Sequence, residues 1–577
     1  MAAALGISST RLIIARSRPA TPRLRAATPT LRAATPTLRA ATPTLLAATP
    51  TLLAAALAAT YLIVSPPGAD LPAQLLRARL AGTQGGLGLW NNWWYAGQYT
   101  LGYSVLYPPL AWLIGPRLLA AAACVGTAGA FTALTQDVWG QDARLGASWL
   151  GAAIVTELLS GRLSFALGLC PAAFTALLLE RRRPRWAAVC ALLATLASPV
   201  AGLFAALAGL TAALLVLGTG GRRRGPTGLW GGVAVFALPL LAIGATQVAF
   251  PTAGYQPFAL GTFWPLPVIG LGVLAVALRR QGDGRIAAAD RTVVAATVLY
   301  VAGCTLAFLL RTPLGANAAR LGELVAGPLA ALLLAHRRAW LLLALVALPL
   351  AYIQVHDAIG DLEHGAHASD AAFYQPLIGY LGRQPGANAH AWRVEVPFTS
   401  SHWETYYLAG RFALARGWER QTDIADNALF YHGRLSAASY HAWLEQLAVR
   451  YVAVAHTPAD YSARGELELI RQGLPYLRRV AQLAHWTVYE LREPTAIVTG
   501  AGRLVAMGPQ QLELAVTRPG TLSVRVRWSP YWRLVGVQGC VTPDAGFTRV
   551  VARGSGRAQL QMSFSLSRIG SSTRRCN

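Results

Sequence analysis

Between residues 45 and 355 the chain carries eleven apolar stretches, and arginine clusters fill nearly every second gap between them. The clusters are Arg181–Arg183 with Arg185, Arg222–Arg224, Arg279–Arg280 with Arg285 and Arg291, and Arg337–Arg338. The arginine-rich N-terminus falls on the same side. Short basic loops stay in the cytoplasm when a chain is threaded through a membrane. The alternation therefore predicts an α-helical polytopic membrane protein with about eleven transmembrane helices, a cytoplasmic N-terminus and an extracytoplasmic tail.

The net charge of +25 and the pI near 10.7 would suit a nucleic-acid binder. The mean hydropathy of +0.40 and the 13% charged residues do not. The basic residues sit in membrane-flanking clusters rather than on one soluble face, so no nucleic-acid partner is expected. All 50 basic residues are arginine, which with abundant Ala, Gly and Leu reflects a GC-rich coding sequence.

Residues 25–52 repeat RAATPTL three times and then LAATPTL. A heptad suits a coiled coil, but Pro29, Pro36, Pro43 and Pro50 are predicted to break any helix at each repeat, and 1–44 reads as disordered low-complexity sequence. No small-residue cleavage site follows the apolar run, against a cleaved signal peptide. The membrane domain is read as 45–355, with a first span over Leu45–Val64 and a long outer loop over 65–104. VLYPPLAWLIG (105–115) reads as a short helix broken at Gly115-Pro116. Further spans follow near 118–135, 145–159 and 163–179. Trp186–Gly218 is too long for one ordinary crossing and has arginines at both ends, so it turns at Ser198-Pro199. The last spans are 228–248, 262–279, 292–310, 321–335 and 339–355.

Residues 356–371 (HDAIGDLEHGAHASD and one more) read as a solvated juxtamembrane linker. Three His and four acidic residues there lack any diagnostic metal spacing. Residues 372–493 mix helical patterns with strand-like runs and are read as α/β. Residues 494–577 alternate apolar and polar residues between turns (LSVRVRW, LQMSFSL), which predicts a β-sandwich-like module. Cys540 and Cys576 are the two cysteines of this outer region, where a disulfide is permitted. The other four lie in spans as small apolar fillers. There is no Walker A loop, GxSxG elbow or CxxC.

Asp70 is the single acidic residue of the first outer loop, close to the membrane surface. A carboxylate there can accept a proton from a hydroxyl. It can equally cap the helix LPAQLLRARL, with Pro72 in the first turn, and the two roles are compatible. Trp90, Asn91, Asn92, Trp93, Trp94 and Tyr95 form an aromatic and amide cluster. Such a cluster suits stacking and edge hydrogen bonds to a sugar, or an interfacial belt. Glu157 and Glu323 lie toward the outer ends of spans, and Arg162, Arg311 and Arg320 sit at outer helix ends against the positive-inside trend. Ionisable groups in spans are costly and seldom idle, and guanidinium forks match phosphate oxygens. The alternative is structural pairing of Arg162 with Glu157 and of Arg320 with Glu323.

The strings GADLPAQL, LWNNWWYAGQYTLGYSVLYPPL, SGRLSFALGL, LASPVAG and NAARLGELVAGPL, spread over most of 65–335, resemble polytopic glycosyltransferases of the GT-C superfamily. They resemble still more a group of actinobacterial membrane proteins related to it. The outer strings RVEVPFTSSHWETYYLA, ARGWERQTD, NALFY and RVRWSPYW are similar to that group as well. The resemblance implies transfer of a sugar from a polyprenyl-phosphate-linked donor to an envelope glycan, lipid or protein acceptor at the outer face. It implies Asp70 as general base, Arg320, Arg162 and Arg311 on the donor phosphate, and the 90–95 cluster around the sugar. Many members carry two acidic residues in this loop where this chain has one, which weakens the case for a divalent cation. A transporter or flippase of lipid-linked glycans and a non-catalytic envelope-assembly protein are the alternatives; the first would show inverted repeats with midplane charges, and no convincing repeat is present.

Overall fold

The computed structural model describes residues 35–83, 88–218, 225–279 and 285–570. Its membrane-like part runs α1 (Thr35–Val64), α2 (Leu71–Thr83), α3 (Tyr107–Ile114), α4 (Pro116–Trp139), α5 (Arg144–Ala153), α6 (Thr156–Leu159), α7 (Leu163–Glu180), α8 (Pro184–Ala197), α9 (Pro199–Gly218), α10 (Gly225–Ala249), α11 (Leu260–Phe263), α12 (Pro265–Leu278), α13 (Arg285–Leu309), α14 (Arg320–His336) and α15 (Trp340–Ala366). Among the described residues, eight helical stretches are long and apolar enough to cross a membrane, as in a polytopic membrane protein. The longest, Pro116–Leu159, folds at Gly140, whose φ of +60° suits a residue without a Cβ. Helices α4, α7, α9 and α14 form the buried middle of the bundle, while α10, α12, α13 and α15 present mostly exposed apolar surface.

Two sequence expectations are corrected here. Helix α1 begins at Thr35 and continues through Pro43 and Pro50, so prolines do not end it over this stretch. The carbonyl oxygen of Pro50 lies against Gly151, where a Cβ would come within 2.4 Å, so the glycine lets α1 and α5 approach. The stretch read as a linker is instead the end of α15, which stays helical to Ala366. Only a few residues then separate it from the helix Ala371–Gly382, capped by Asp370 through the Ala372 N–H at 2.8 Å.

Ion pairs gather one set of helix ends. Arg181 meets Asp137 at 2.8 Å, His336 meets Asp142 at 2.9 Å and Arg337 meets Asp290 at 2.8 Å. These pairs bring the ends of α4, α7 and α14 and the start of α13 to one side, which also bears Arg181–Arg183 and Arg337–Arg338. The rest of the chain packs on the opposite ends. Ala47–Asn577 is one compact unit, and the contacts described below belong to it.

On that opposite side the first outer loop forms a small hairpin, β1 (Trp90–Asn91) with β2 (Gln98–Tyr99). A five-stranded sheet follows, from β3 (Arg393–Glu395), β4 (Ala413–Leu414), β5 (Val449–Ala455), β6 (Leu477–Gln482) and β7 (Trp486–Leu491), in the order β4-β3-β5-β7-β6. Strands β3, β4 and β5 are mutually parallel, β7 runs antiparallel to β5, and β6, antiparallel to β7, points the same way as the first three. The C-terminal region folds into two four-stranded antiparallel sheets. Leu512, Leu514 and Leu560 of one share a core with Leu522, Val524 and Val550 of the other, as in a sandwich. Strand Gly520–Arg527 buries every second side chain, as the period of two in its sequence requires.

Candidate functional site

The loop Ser65–Asp70 is held from several sides. Arg117 donates to the Ser65 carbonyl at 2.8 Å. Gly68 lies so close to the turn after α6 that a Cβ would meet the Leu159 carbonyl oxygen at 2.5 Å. Gly161, with φ +79°, returns the contact: its Cβ would meet the Leu71 nitrogen at 2.5 Å. The Asp70 N–H donates to the Ser160 carbonyl at 3.1 Å, and the Trp418 indole N–H of the α/β region donates to the Ala69 carbonyl at 3.1 Å. The Ala69–Asp70 peptide is therefore held at both of its polar groups, its N–H by the turn after α6 and its carbonyl by Trp418 of the α/β region.

The carboxylate itself accepts no capping hydrogen bond from α2. Its charged neighbour is Arg162, whose Nε stands 3.9 Å from Asp70 Oδ2. The Asp70 side chain is 31% exposed, open enough to meet a substrate. Arg162 also places an Nη 3.3 Å from Asp361 of α15. Burial disfavours its charge, but the Asp361, Glu157 and Asp70 carboxylates outweigh that and hold its pKa above the ordinary range. The expected pairing of Arg162 with Glu157 is thus replaced by Asp361 and Asp70. Asp361 escaped the sequence reading, although Gln354, Asp357, Ala358 and Asp361 recur at helical spacing and fall on one face of α15.

Behind Arg162 opens a small cleft, lined by Glu157, Ser160, Arg162, Glu323, Gln354 and Asp357 among others. It unites the two span carboxylates singled out in the sequence with the newly found end of α15. Arg320, at the start of α14, rests its guanidinium 5.2 Å from the Phe165 ring centroid and, among the described residues, forms no ion pair within 4.0 Å. Arg311 lies elsewhere: it is exposed, over the Tyr255 ring at 5.4 Å, and is not brought to Arg162.

The aromatic cluster also departs from expectation. Trp90, Asn91, Asn92, Trp93, Trp94 and Tyr95 are each no more than 5% exposed. Their polar atoms are bonded within the protein. The Asn92 amide donates to the Gly508 carbonyl at 2.8 Å and the Trp94 indole to the Thr405 carbonyl at 3.1 Å. Tyr95 bonds the Gly417 carbonyl, and the Trp93 carbonyl accepts from the Leu414 N–H at 2.9 Å. The hairpin is a wedge between the α/β region and the sandwich, and these rings have no free face for a sugar.

At the carboxyl ends of the parallel strands lies a second, closed group of charges. Arg416, after β4, makes a fork to Asp423 at 2.6 and 3.1 Å, with Glu466 at 3.5 Å and Glu395 at 3.8 Å. Arg420 pairs with Asp460, which His402 approaches at 3.6 Å. Burial raises Glu404 to about 7 against hydrogen bonds from Thr399, and raises Glu466 to about 7 against Arg416. Burial acts on Asp460 in the same sense, but His402 and Arg420 overcome it and hold that carboxyl well below the usual range. His402 stacks on Trp418 with centroids 3.6 Å apart, which links this group to the Asp70 loop.

Cys540 is disulfide-bonded, and its expected partner Cys576 lies outside the described residues. Among the described residues no cluster of His, Cys, Asp or Glu has the arrangement to hold a metal ion. No protein-family model matches the chain, and no curated protein matches its sequence.

Proposed function

We propose that this chain is an integral membrane glycosyltransferase, passing a sugar from a polyprenyl-phosphate-linked donor to an envelope acceptor on the side of the outer domain. The observation that carries the reading is Asp70. It is an uncapped, partly exposed carboxylate whose preceding peptide is anchored through both its N–H and its carbonyl, where the helix bundle meets the outer domain. Such a group can take the proton of an acceptor hydroxyl while that oxygen attacks the anomeric carbon and the bond to the carrier phosphate breaks. Arg320, without an ion pair, is the guanidinium available to the departing phosphate. Arg162 is already engaged by Asp361 and Asp70, and acts as a positioning residue for the base.

In the same reading the chain crosses the membrane eleven times. The fold at Gly140 makes two crossings of Pro116–Leu159, and the shorter apolar helices Ala48–Val64 and Pro184–Ala197 complete the set. The arginine-rich ends face the cytoplasm and the α/β and β regions face outward. The test is mass spectrometry of envelope glycolipids and glycans with and without the protein. Loss of a sugar-sized increment in the deletion supports transfer, and an unchanged envelope speaks for transport or scaffolding.

A further inference from the structure

The cleft behind Arg162 gathers three carboxyl groups around one guanidinium. Glu157, Glu323 and Asp357 line it together with one guanidinium, and that guanidinium is engaged by Asp361 and Asp70. Glu157 is only 4% exposed, and its Oε2 is buried with no hydrogen-bond partner. A buried carboxylate oxygen without a partner is unfavourable unless a cation or donor reaches it. Arg320 acts on Glu157 and Glu323 only at longer range: its guanidinium lies over Phe165, and among the described residues it forms no ion pair at contact distance.

We infer that this cleft binds a primary ammonium group carried by a substrate or lipid. Among the described residues the carboxylates do not converge as metal ligands do, and the small cleft suits the tip of an ammonium group. An ammonium brings one positive charge and three N–H donors, matching an unpartnered Glu157 Oε2 with Glu323 and Asp357 around it. The Gln354 amide gives the cleft no further freedom. Its oxygen accepts from Trp149 at 2.6 Å and its nitrogen donates to the Leu324 carbonyl at 2.7 Å, so the wall is rigid. The inference deepens the transferase reading, because Arg162 connects the cleft to Asp70. An amino sugar or an aminolipid headgroup would then be the group presented there.

The test is native mass spectrometry of the full chain in detergent. The probes are phosphatidylethanolamine against phosphatidylcholine, which lacks N–H donors, and glucosamine against N-acetylglucosamine, which lacks the charge. The expected result is at least a tenfold preference for one of the amines over its control, lost in Glu157→Gln and kept in Asp70→Asn. Preference for the lipid names a headgroup, and preference for glucosamine names a sugar. Should Glu157→Gln not fold, Glu323→Gln, checked by near-UV circular dichroism, decides in its place. No preference for either amine, or a preference unchanged in a folded variant, overturns the inference. Because Asp70→Asn is read by binding here and by transfer in the envelope, either reading can fail without the other.

Discussion

The indole nitrogen of Trp418 donates to the carbonyl oxygen of Ala69 at 3.1 Å, across 349 positions of sequence. This bond joins the outer domain to the loop that bears Asp70. Arg77 paired with Glu419 and the Trp403 indole bonded to the Gly365 carbonyl at 3.0 Å reinforce the same junction. The outer domain therefore acts as a fixed roof over the membrane-side carboxylate.

Trp418→Phe removes the donor while keeping a ring to stack on His402. One lost hydrogen bond of this kind costs about 1 kcal/mol. The expected outcome is a small fall in the thermal midpoint together with a larger, roughly tenfold loss of transfer, because misplacing a catalytic group by a fraction of its contact distance is expensive. Quantitative envelope mass spectrometry at matched protein level checks it. Transfer unchanged while stability falls would show that the roof has no positioning role.

Arg162→Met leaves Asp361 and Asp70 facing each other's charge without a counter-ion. Breaking a largely buried pair in this way costs about 3–5 kcal/mol, with the lower end expected because Asp361 and Asp70 are 28% and 31% exposed. Adding Asp361→Asn should recover part of the loss. Thermal unfolding of the single and double variants in detergent measures both, and additive effects would show that the two side chains are not coupled.

The outer domain should lose stability as pH rises above about 6.5. Glu404 and Glu466 move from the ordinary 4.5 to about 7 on folding, so the stability they confer is full below 4.5 and is lost as pH rises through 7. His402, lowered from 6.5 by burial, works in the opposite sense, and its contribution is lost as pH falls below that value. From 6.5 upward the glutamates dominate. A thermal midpoint that declines between about pH 6.5 and 8, and declines less in Glu404→Gln, is the expected result. A flat or rising midpoint contradicts it.

The proposed sidedness rests on the arginine clusters. A cysteine introduced by Glu468→Cys, on an exposed side chain of the outer domain, should react with an impermeant maleimide in intact cells. Arg182→Cys, in the exposed turn between α7 and α8, should react only after permeabilisation. The reverse pattern would invert the orientation.

Much of the architecture was legible from local pattern, because hydropathy and two-residue alternation report on a single segment at a time. Apolar length gave a polytopic helical chain, and the alternation of LSVRVRW anticipated a C-terminal β region. The candidate site was legible only in part. Asp70, Arg162, Glu157 and Glu323 stood out as charges near predicted helix ends, whereas Asp361 was obscured by polar neighbours that resembled a linker. The Trp90–Tyr95 cluster misled for the opposite reason. Its partners, Pro509, Thr405 and Gly417, lie more than 300 residues away, and nothing in the local sequence distinguishes an open aromatic platform from a buried wedge.

The account stands most directly on Asp70→Asn in a deletion strain, compared with wild type by mass spectrometry of envelope glycolipids and glycans. The amide keeps the size of the side chain and cannot accept the acceptor's proton. The account predicts that the sugar-sized increment restored by wild type stays absent with the variant at equal protein level. Full restoration by Asp70→Asn would contradict it.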